Sequence, residues 1–220
     1  MDTKDKLPVK GLYAIADSQV LAPASMHRAV AQAIDGGAGA IQYRDKGGDP
    51  ARRQAQARAL VQLCRTYQVP LIINDDVQLA QAVEADGVHL GRDDAALTHA
   101  RQTLGHGAII GVSCYNNLPL AVAAQAQGAD YVAFGSFFPS PTKPDAVRAD
   151  VQLLRQARAQ LHCAIVAIGG ITPDNGAALV TAGADALAVI HGVFAQPDPM
   201  QAAQRYAALF QPPSQQASSS

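Results

Sequence analysis

The five consecutive residues Gln42-Tyr43-Arg44-Asp45-Lys46 have the side chains and the spacing to bind an anion. They follow an apolar segment and are predicted to form the polar end of a short buried strand. Residues two apart on a strand share a face, so Gln42, Arg44 and Lys46 should point the same way. An amide and two cations on one face suit an anionic ligand, although solvated charges at strand ends are also common.

The elements that must position these residues repeat along the chain. Short apolar runs alternate with Ala-rich helical stretches, and the runs are continuous, as in strands buried on both faces of a parallel sheet. The predicted strands cover residues 12–16, 40–44, 70–74, 87–90, 109–113, 131–135, 164–168 and 186–190. The predicted helices cover residues 27–35, 50–67, 77–84, 94–104, 119–127, 150–160, 173–182 and 200–209.

Eight such units predict an α/β fold, a single (β/α)8 TIM barrel, with a doubly wound open sheet as the runner-up. We expect an N-terminal extension over residues 1–10, the barrel over 11–210 and a disordered tail over 211–220, where Pro, Ser and Gln dominate. Ser25 is a candidate N-cap for the first helix. Four Gly-Ala or Ala-Asp-Gly turns, at residues 37–40, 85–87, 128–130 and 183–185, are expected to end helices with a left-handed glycine.

Composition narrows the class of protein. The chain has 220 residues, 49% of them hydrophobic, and a formal net charge of -1. No basic excess points to nucleic acid, and no apolar run or leader segment points to a membrane or to secretion. Three scattered cysteines fit a cytoplasmic protein without a disulfide framework. The sequence leaves a homo-oligomer open.

Polar residues follow nearly every predicted strand, where the active site of a barrel lies. Arg44, Lys46 and Lys143 would supply positive charge and Asn74 hydrogen bonds, a set that suits a pyrophosphate. Asp75 and Asp94 come from adjacent loops and could hold one Mg2+, an ion that prefers oxygen ligands. Acids at helix N-termini are common, and this simpler interpretation is preferred for Asp76 and Asp93.

A second anion site is predicted after strands seven and eight. Gly169-Gly170 precedes a helix that begins at Pro173, and His191 follows strand eight. Backbone N–H groups at such a loop and helix N-terminus suit a monophosphate. His89, inside strand four, is expected to be a packed, hydrogen-bonded residue beside the site, and Cys114 should face away from Ser113 as a structural residue.

These residues together resemble the thiamine-phosphate synthase family from about residue 12 to residue 194. The matching segments are Gln42–Lys46, Asn74-Asp75-Asp76, Ala85-Asp86-Gly87-Val88-His89-Leu90-Gly91, Gly111-Val112-Ser113 and Pro139-Ser140-Pro141-Thr142-Lys143. Arg92, where glutamine would be expected, His191-Gly192 in place of Ser-Ala, and Ser140 in place of threonine depart from the family pattern.

The resemblance implies a Mg2+-dependent transferase. It would join 4-amino-2-methyl-5-hydroxymethylpyrimidine diphosphate to a thiazole phosphate, whose carboxylated form stays open, and release pyrophosphate. By the same resemblance, Arg44, Lys46, Asn74 and Lys143 hold the diphosphate, Asp75 and Asp94 hold Mg2+, and Gln42 and Ser113 meet the pyrimidine. The thiazole-phosphate end would be lined by Ser140, Thr142, Gly170, Ile190 and His191. Arg44, Lys46, Ser113 and Lys143 are expected to act in catalysis.

Two other functions remain open from the sequence. A thiazole tautomerase of the same barrel family would need neither the diphosphate-binding cations nor the metal-binding acids. A non-catalytic protein that binds thiamine precursors would not need a Mg2+ site. The joint presence of the cations and the acids favours the synthase.

Overall fold

A computed structural model describes residues 9–91, 94–140 and 147–211 of the chain; of residues 94 and 95 it describes the backbone only. The predicted extension and tail therefore lie largely outside the described residues.

Eight parallel strands form a closed barrel in the order β1 to β8, which confirms the predicted (β/α)8 fold. The strands are β1 Gly11–Asp17, β2 Ala38–Arg44, β3 Leu71–Asn74, β4 Gly87–Leu90, β5 Ile109–Tyr115, β6 Tyr131–Phe134, β7 Ala164–Ile168 and β8 Ala186–Val189. Each begins and ends within two residues of its predicted bounds, because continuous apolar runs mark strands that are covered on both faces.

Helices follow the strands around the outside. They are α1 Pro23–Asp35, α2 Pro50–Tyr67, α3 Val77–Val83, α4 Asp94–Leu104, α5 Leu118–Ala126, α6 Val151–Gln160, α7 Pro173–Thr181, α8 His191–Phe194 and α9 Pro199–Ala207. The short helix α8 was not predicted from the sequence. The N-cap predicted at Ser25 is wrong: α1 begins earlier, at Pro23, because proline suits the first helical position, and the Ser25 hydroxyl donates to the Ala22 carbonyl. In the described part of the chain, no helix is long and apolar enough to cross a membrane.

The barrel has two apolar layers. Residues between the sheet and the helices, among them Leu60, Leu71 and Leu187, form the larger core. A smaller cluster fills the barrel interior and includes Tyr13 and Tyr131. Successive residues of a strand point alternately to the outer layer and to the interior. The inward-pointing side chains at one end of the strands are therefore available to build a site.

Three of the four Gly-Ala or Ala-Asp-Gly turns end as predicted, with a glycine at positive φ at residues 37, 128 and 183. The prediction is wrong for the turn at 85–87. There Glu84 takes the left-handed position, and Gly87 lies in β4, where a Cβ would come within 1.9 Å of the Ile109 carbonyl oxygen. This glycine is required by close backbone packing rather than by a left-handed cap.

The aspartates of two of these turns, Asp130 and Asp185, have a structural role at the opposite end of the barrel from the candidate site. Asp130 Oδ2 accepts hydrogen bonds from the Ile110 backbone N–H at 2.8 Å and from Arg101 at 2.7 Å. Asp185 makes the equivalent pair of bonds with Ile165 and Arg158. Each acid therefore fixes a strand start and keeps its own charge paired.

Candidate active site

Arg44 lies at the carboxyl end of β2 and forms an ion pair with Asp17 of β1. The strand register places the two residues side by side. The Arg44 side chain is 12% exposed and that of Asp17 is 1% exposed. This pairing fixes the guanidinium at the barrel mouth and offsets part of its charge.

Asp45 fixes the loop that carries Lys46. Its Oδ1 accepts from the Ser18 hydroxyl at 2.8 Å and from the Gly47 backbone N–H at 2.7 Å, while its Oδ2 accepts from Arg52 and Tyr43. Burial by itself would raise the pKa of Asp45, but the hydrogen bonds and the Arg52 charge outweigh it and lower the pKa. A charged, fully bonded Asp45 therefore holds the turn after β2.

Asp75 projects from the end of β3 next to a lysine and an amide. Its Oδ2 accepts a 2.7 Å hydrogen bond from Asn74 and lies 3.8 Å from Lys46 Nζ. The Asp75 backbone is left-handed, with φ of 62°, and its N–H donates to the His89 carbonyl oxygen at 2.8 Å. A non-glycine residue held in this region is uncommon and often marks a functional site.

Lys46, Asn74 and Asp75 line one open cleft of about 600 Å³ above β2, β3 and β4. The cleft also contains Arg53 of α2 and His99 of α4, two residues that the sequence pattern did not assign to the site. Asp76 has the role predicted for it, since its side chain caps α3 at the Leu79 N–H and pairs with Arg53 at 2.8 Å.

Beneath the mouth, a continuous chain of hydrogen bonds crosses the barrel interior. The Gln42 amide nitrogen donates to the Tyr13 hydroxyl at 2.8 Å, and the Tyr13 and Tyr131 hydroxyls lie 2.8 Å apart. His89 then bridges the Tyr131 hydroxyl, 3.0 Å from Nδ1, and the Ser113 hydroxyl, 2.9 Å from Nε2. The two predicted pyrimidine contacts, Gln42 and Ser113, are thus the two ends of one network, and His89 is the bonded residue that was predicted.

Close packing holds this network in place. The Tyr131 ring stacks on His89 at a centroid distance of 5.5 Å and meets Tyr13 edge-on at 5.8 Å. It fits because residue 111 is a glycine, at which a Cβ would come within 1.9 Å of the ring. Cys114 points to the other side of the sheet and is fully buried there, as predicted.

The loop after β7 combines two glycines at positive φ with the helix that was predicted to begin at Pro173. Gly169 and Gly170 have φ of 104° and 63°. A Cβ at Gly169 would come within 2.0 Å of Ser136 Oγ, and one at Gly170 within 2.2 Å of the Pro139 carbonyl oxygen. Among the described residues, the Gly170 N–H has no hydrogen-bond acceptor. Helix α7 follows, capped by Thr172.

The remaining predicted residues lie elsewhere around the mouth or outside the description. Ser140, Ile190 and His191 are partly buried, with Ile190 as the N-cap position of α8, and they do not line the cleft of Lys46 and Asp75. Thr142, Lys143, Arg92 and the Asp94 side chain lie outside the described residues. Within the described ranges, no cluster of three metal-binding side chains is found.

Three residues of the mouth and interior were missed by the sequence pattern as site residues. Asp17, Tyr13 and Tyr131 belong to predicted apolar runs or directly follow one, which indicated core rather than chemistry. Their polar groups could have identified them, because each residue places a hydroxyl or a carboxylate in a barrel strand, and buried polar groups require hydrogen-bond partners.

Comparison with known proteins identifies the family. The family model described as thiamine monophosphate synthase matches residues 12–193. A thiamine-phosphate synthase from Nitrosococcus oceani is 54% identical over 198 residues, which cover 90% of this chain and 91% of that protein. One from Thiobacillus denitrificans is 57% identical over 181 residues, 82% of this chain and 86% of that protein.

A solved structure gives the same result in three dimensions. Thiamine phosphate pyrophosphorylase from Pyrococcus furiosus superposes with a TM-score of 0.82 at 34% identity and covers 94% of this chain and 97% of its own. The chain belongs to the thiamine monophosphate synthase family.

Proposed function

We propose that this protein condenses 4-amino-2-methyl-5-hydroxymethylpyrimidine diphosphate with a thiazole phosphate, to give thiamine phosphate and pyrophosphate, with Mg2+. The observation that carries the proposal is a polar cleft whose lining residues Lys46 and Leu90 continue or end the strands that carry Gln42 and His89 of the interior network. Cationic Lys46 and the amide of Asn74 line the cleft beside Asp75, Arg44 lies at the end of β2, and the Gln42–Ser113 network lies beneath the barrel mouth. A pyrimidine held at the network would direct its diphosphate into the cleft.

The donor set fits Mg2+. Asp75 offers an exposed carboxylate whose Oδ2 is oriented by Asn74, and α4 begins at Asp94 after the neighbouring strand β4. Mg2+ is commonly held by one or two carboxylates together with substrate phosphates, so a cluster of three protein ligands is not required. When bound, the ion would neutralise charge that develops on the departing pyrophosphate.

The chain's own residues would assist the same step electrostatically. Lys46 and Lys143 would bind diphosphate oxygens, and Arg44, held by Asp17, would present a fixed positive charge. As the bond to pyrophosphate breaks, the pyrimidine gains cationic character, which its own amino group stabilises, and the thiazole nitrogen captures it. Preorganised charges and positioning supply catalysis of this kind, and the step needs no protein nucleophile.

The thiazole phosphate would bind at the other side of the mouth. The Gly170 N–H and the start of α7 can meet its phosphate, next to Ser140, Thr142, Ile190 and His191. Gly169 and Gly170 pack closely on residues 136–139, so the two loops would hold this phosphate as one unit.

The test is product formation from the two purified substrates, with Mg2+ and with excess chelator. Thiamine phosphate that forms only with metal supports the proposal. Conversion of the thiazole phosphate to its isomer, without condensation, would instead identify a tautomerase. Lys143→Ala should lower turnover at least tenfold with little change in melting temperature, and wild-type turnover in this variant would contradict its assigned role.

We also propose a cytoplasmic setting. Cys64, Cys114 and Cys163 are free thiols, as is usual in proteins of a reducing compartment. Burial raises the pKa of Cys64 and Cys114 to about 12, which keeps these two thiols protonated. Fractionation of cells that produce the protein, with activity assayed in each fraction, would check this location.

A further inference from the structure

The interior network joins the two residues proposed to meet the pyrimidine. It runs through Gln42, Tyr13, Tyr131, His89 and Ser113, and each successive donor–acceptor distance is between 2.8 and 3.0 Å. These residues come from β2, β1, β6, β4 and β5, so the chain of bonds spans the barrel rather than one edge of it. A proton position at one end therefore constrains the position at the other end.

Each tyrosine hydroxyl has one hydrogen to donate. Tyr13 and Tyr131 are both nearly inaccessible to solvent, and burial raises the pKa of each well above its usual value, which keeps both hydroxyls protonated. A buried donor without an acceptor is costly. The stable arrangements are therefore those in which every hydroxyl hydrogen has an acceptor.

The orientation of the Gln42 amide selects one such arrangement. Because its nitrogen donates to the Tyr13 oxygen, the Tyr13 hydrogen must point to Tyr131, whose own hydrogen then points to Nδ1 of His89. A His89 that carried a proton on Nδ1 would reverse the Tyr131 hydroxyl and leave the Tyr13 hydrogen without an acceptor among the described residues. If all these hydrogen bonds ran in the reverse direction, every hydroxyl hydrogen would have an acceptor only if the Gln42 amide were rotated so that its oxygen faced Tyr13.

We propose that this network fixes His89 as the neutral tautomer protonated on Nε2, and thereby makes Ser113 a hydrogen-bond donor and Gln42 an acceptor toward the ligand. His89 Nε2 then donates to Ser113 Oγ, so the Ser113 hydrogen points to the site. Gln42 Oε1 has no hydrogen-bond partner in the described part of the chain. Among the described residues, Arg53 Nε is the only fully buried side-chain nitrogen or oxygen without a hydrogen-bond partner. Gln42 Oε1 is therefore not fully buried.

This polarity selects a ring that presents a donor to Gln42 and an acceptor to Ser113, and its link to the substrate rests on the proposed function. A 4-aminopyrimidine presents its amino group to Gln42 and a ring nitrogen to Ser113. The 4-oxo analogue presents the opposite order, an oxygen acceptor and a ring N–H. It could bind equally well only if all the bonds of the network reversed together, so the protein should reject it. Tyr13, Tyr131 and His89 are positioning residues in this scheme.

The first experiment measures the ring-nitrogen resonances of the ligand-free protein labelled with 15N-histidine. The His89 signals are identified by their loss in His89→Asn. We expect an unprotonated Nδ1 and a protonated Nε2. A protonated Nδ1, with Nε2 either bare or protonated, would overturn the proposal. This readout does not depend on activity, so it can fail while the proposed function stands, and the reverse.

The second experiment breaks the network at its centre. In Tyr131→Phe, His89 should show a mixture of tautomers, and the preference in kcat/KM for the amino over the oxo pyrimidine diphosphate should fall about tenfold, the scale of one hydrogen bond. Tyr206→Phe, which removes a buried hydroxyl that donates to the Ile171 carbonyl instead, is the matched control and should leave the tautomer unchanged. A Tyr131→Phe protein that only melts earlier, with His89 and the preference unaltered, would refute the positioning role. If that variant does not fold, the wild-type spectrum still decides the tautomer.

Discussion

Asp17 and Asp75 lie at neighbouring strand ends and each pairs with a cation, yet their neutralisation should have opposite consequences. Asp17→Asn removes the counter-charge of Arg44 in a site where the two side chains are 1% and 12% exposed. Asp75→Asn removes the counter-charge of Lys46 in a pair whose side chains are 56% and 54% exposed. Asparagine keeps the shape of both residues, and it tolerates the left-handed backbone at Asp75 better than alanine would.

The burial of each pair sets the size of the effect. Removal of one partner from a buried ion pair leaves an uncompensated charge, and we expect Asp17→Asn to lower the free energy of unfolding by about 3 kcal/mol. For a domain of this size that corresponds to a fall in melting temperature of about 6–12 °C. An exposed pair contributes about 0–1 kcal/mol, so Asp75→Asn should change the melting temperature by about 4 °C or less.

Thermal melts followed by circular dichroism, with turnover measured well below the transition, test both variants together. Asp75→Asn should lose at least tenfold in turnover through its proposed metal role while it remains folded. The reasoning fails if Asp17→Asn melts like the wild type, since the buried pair would then contribute nothing. It also fails if Asp75→Asn keeps full Mg2+-dependent turnover, because Asp75 would then have no catalytic task.

Three further changes probe other parts of the molecule. Folding lowers the pKa of Asp45, so the stability that this carboxylate contributes is fully present above the pKa of the unfolded chain, about 4, and is lost as the pH falls through the folded pKa. Asp45→Asn should therefore flatten this acidic part of a plot of melting temperature against pH. Gly170→Ala would add a Cβ 2.2 Å from the Pro139 carbonyl oxygen at a positive φ, so it should raise KM for the thiazole phosphate more than KM for the pyrimidine diphosphate in steady-state assays, and an unchanged ratio would argue against that subsite. Gln42→Ala should weaken pyrimidine binding more than thiazole-phosphate binding in titration calorimetry, and the opposite ranking would mean that the two ends of the site are reversed.

The local sequence was sufficient to predict the barrel and the identity of many candidate site residues. Apolar runs separated by helical stretches specify strands covered on both faces, and this pattern depends on neighbours in the chain. The polar residues after each run follow from the same reasoning, since the carboxyl ends of all eight strands meet at one face. In this way Lys46, Asn74 and Asp75 could be grouped before their contacts were known.

Only the tertiary structure decided which of these groups are paired and which remain open to a ligand. The register of β1 against β2 brings Asp17 to Arg44, and the barrel closure brings Tyr13 and Tyr131, which are 118 positions apart in sequence, within 2.8 Å. A local sequence pattern shows neither of these pairings. A tyrosine within an apolar strand, for example, has the same sequence signature whether it only packs or also donates a hydrogen bond. The sequence by itself determined the fold and the chemical types at the barrel mouth. The folded chain determined their partners, because hydrogen bonding and charge compensation in a barrel interior depend on which strands face one another across it.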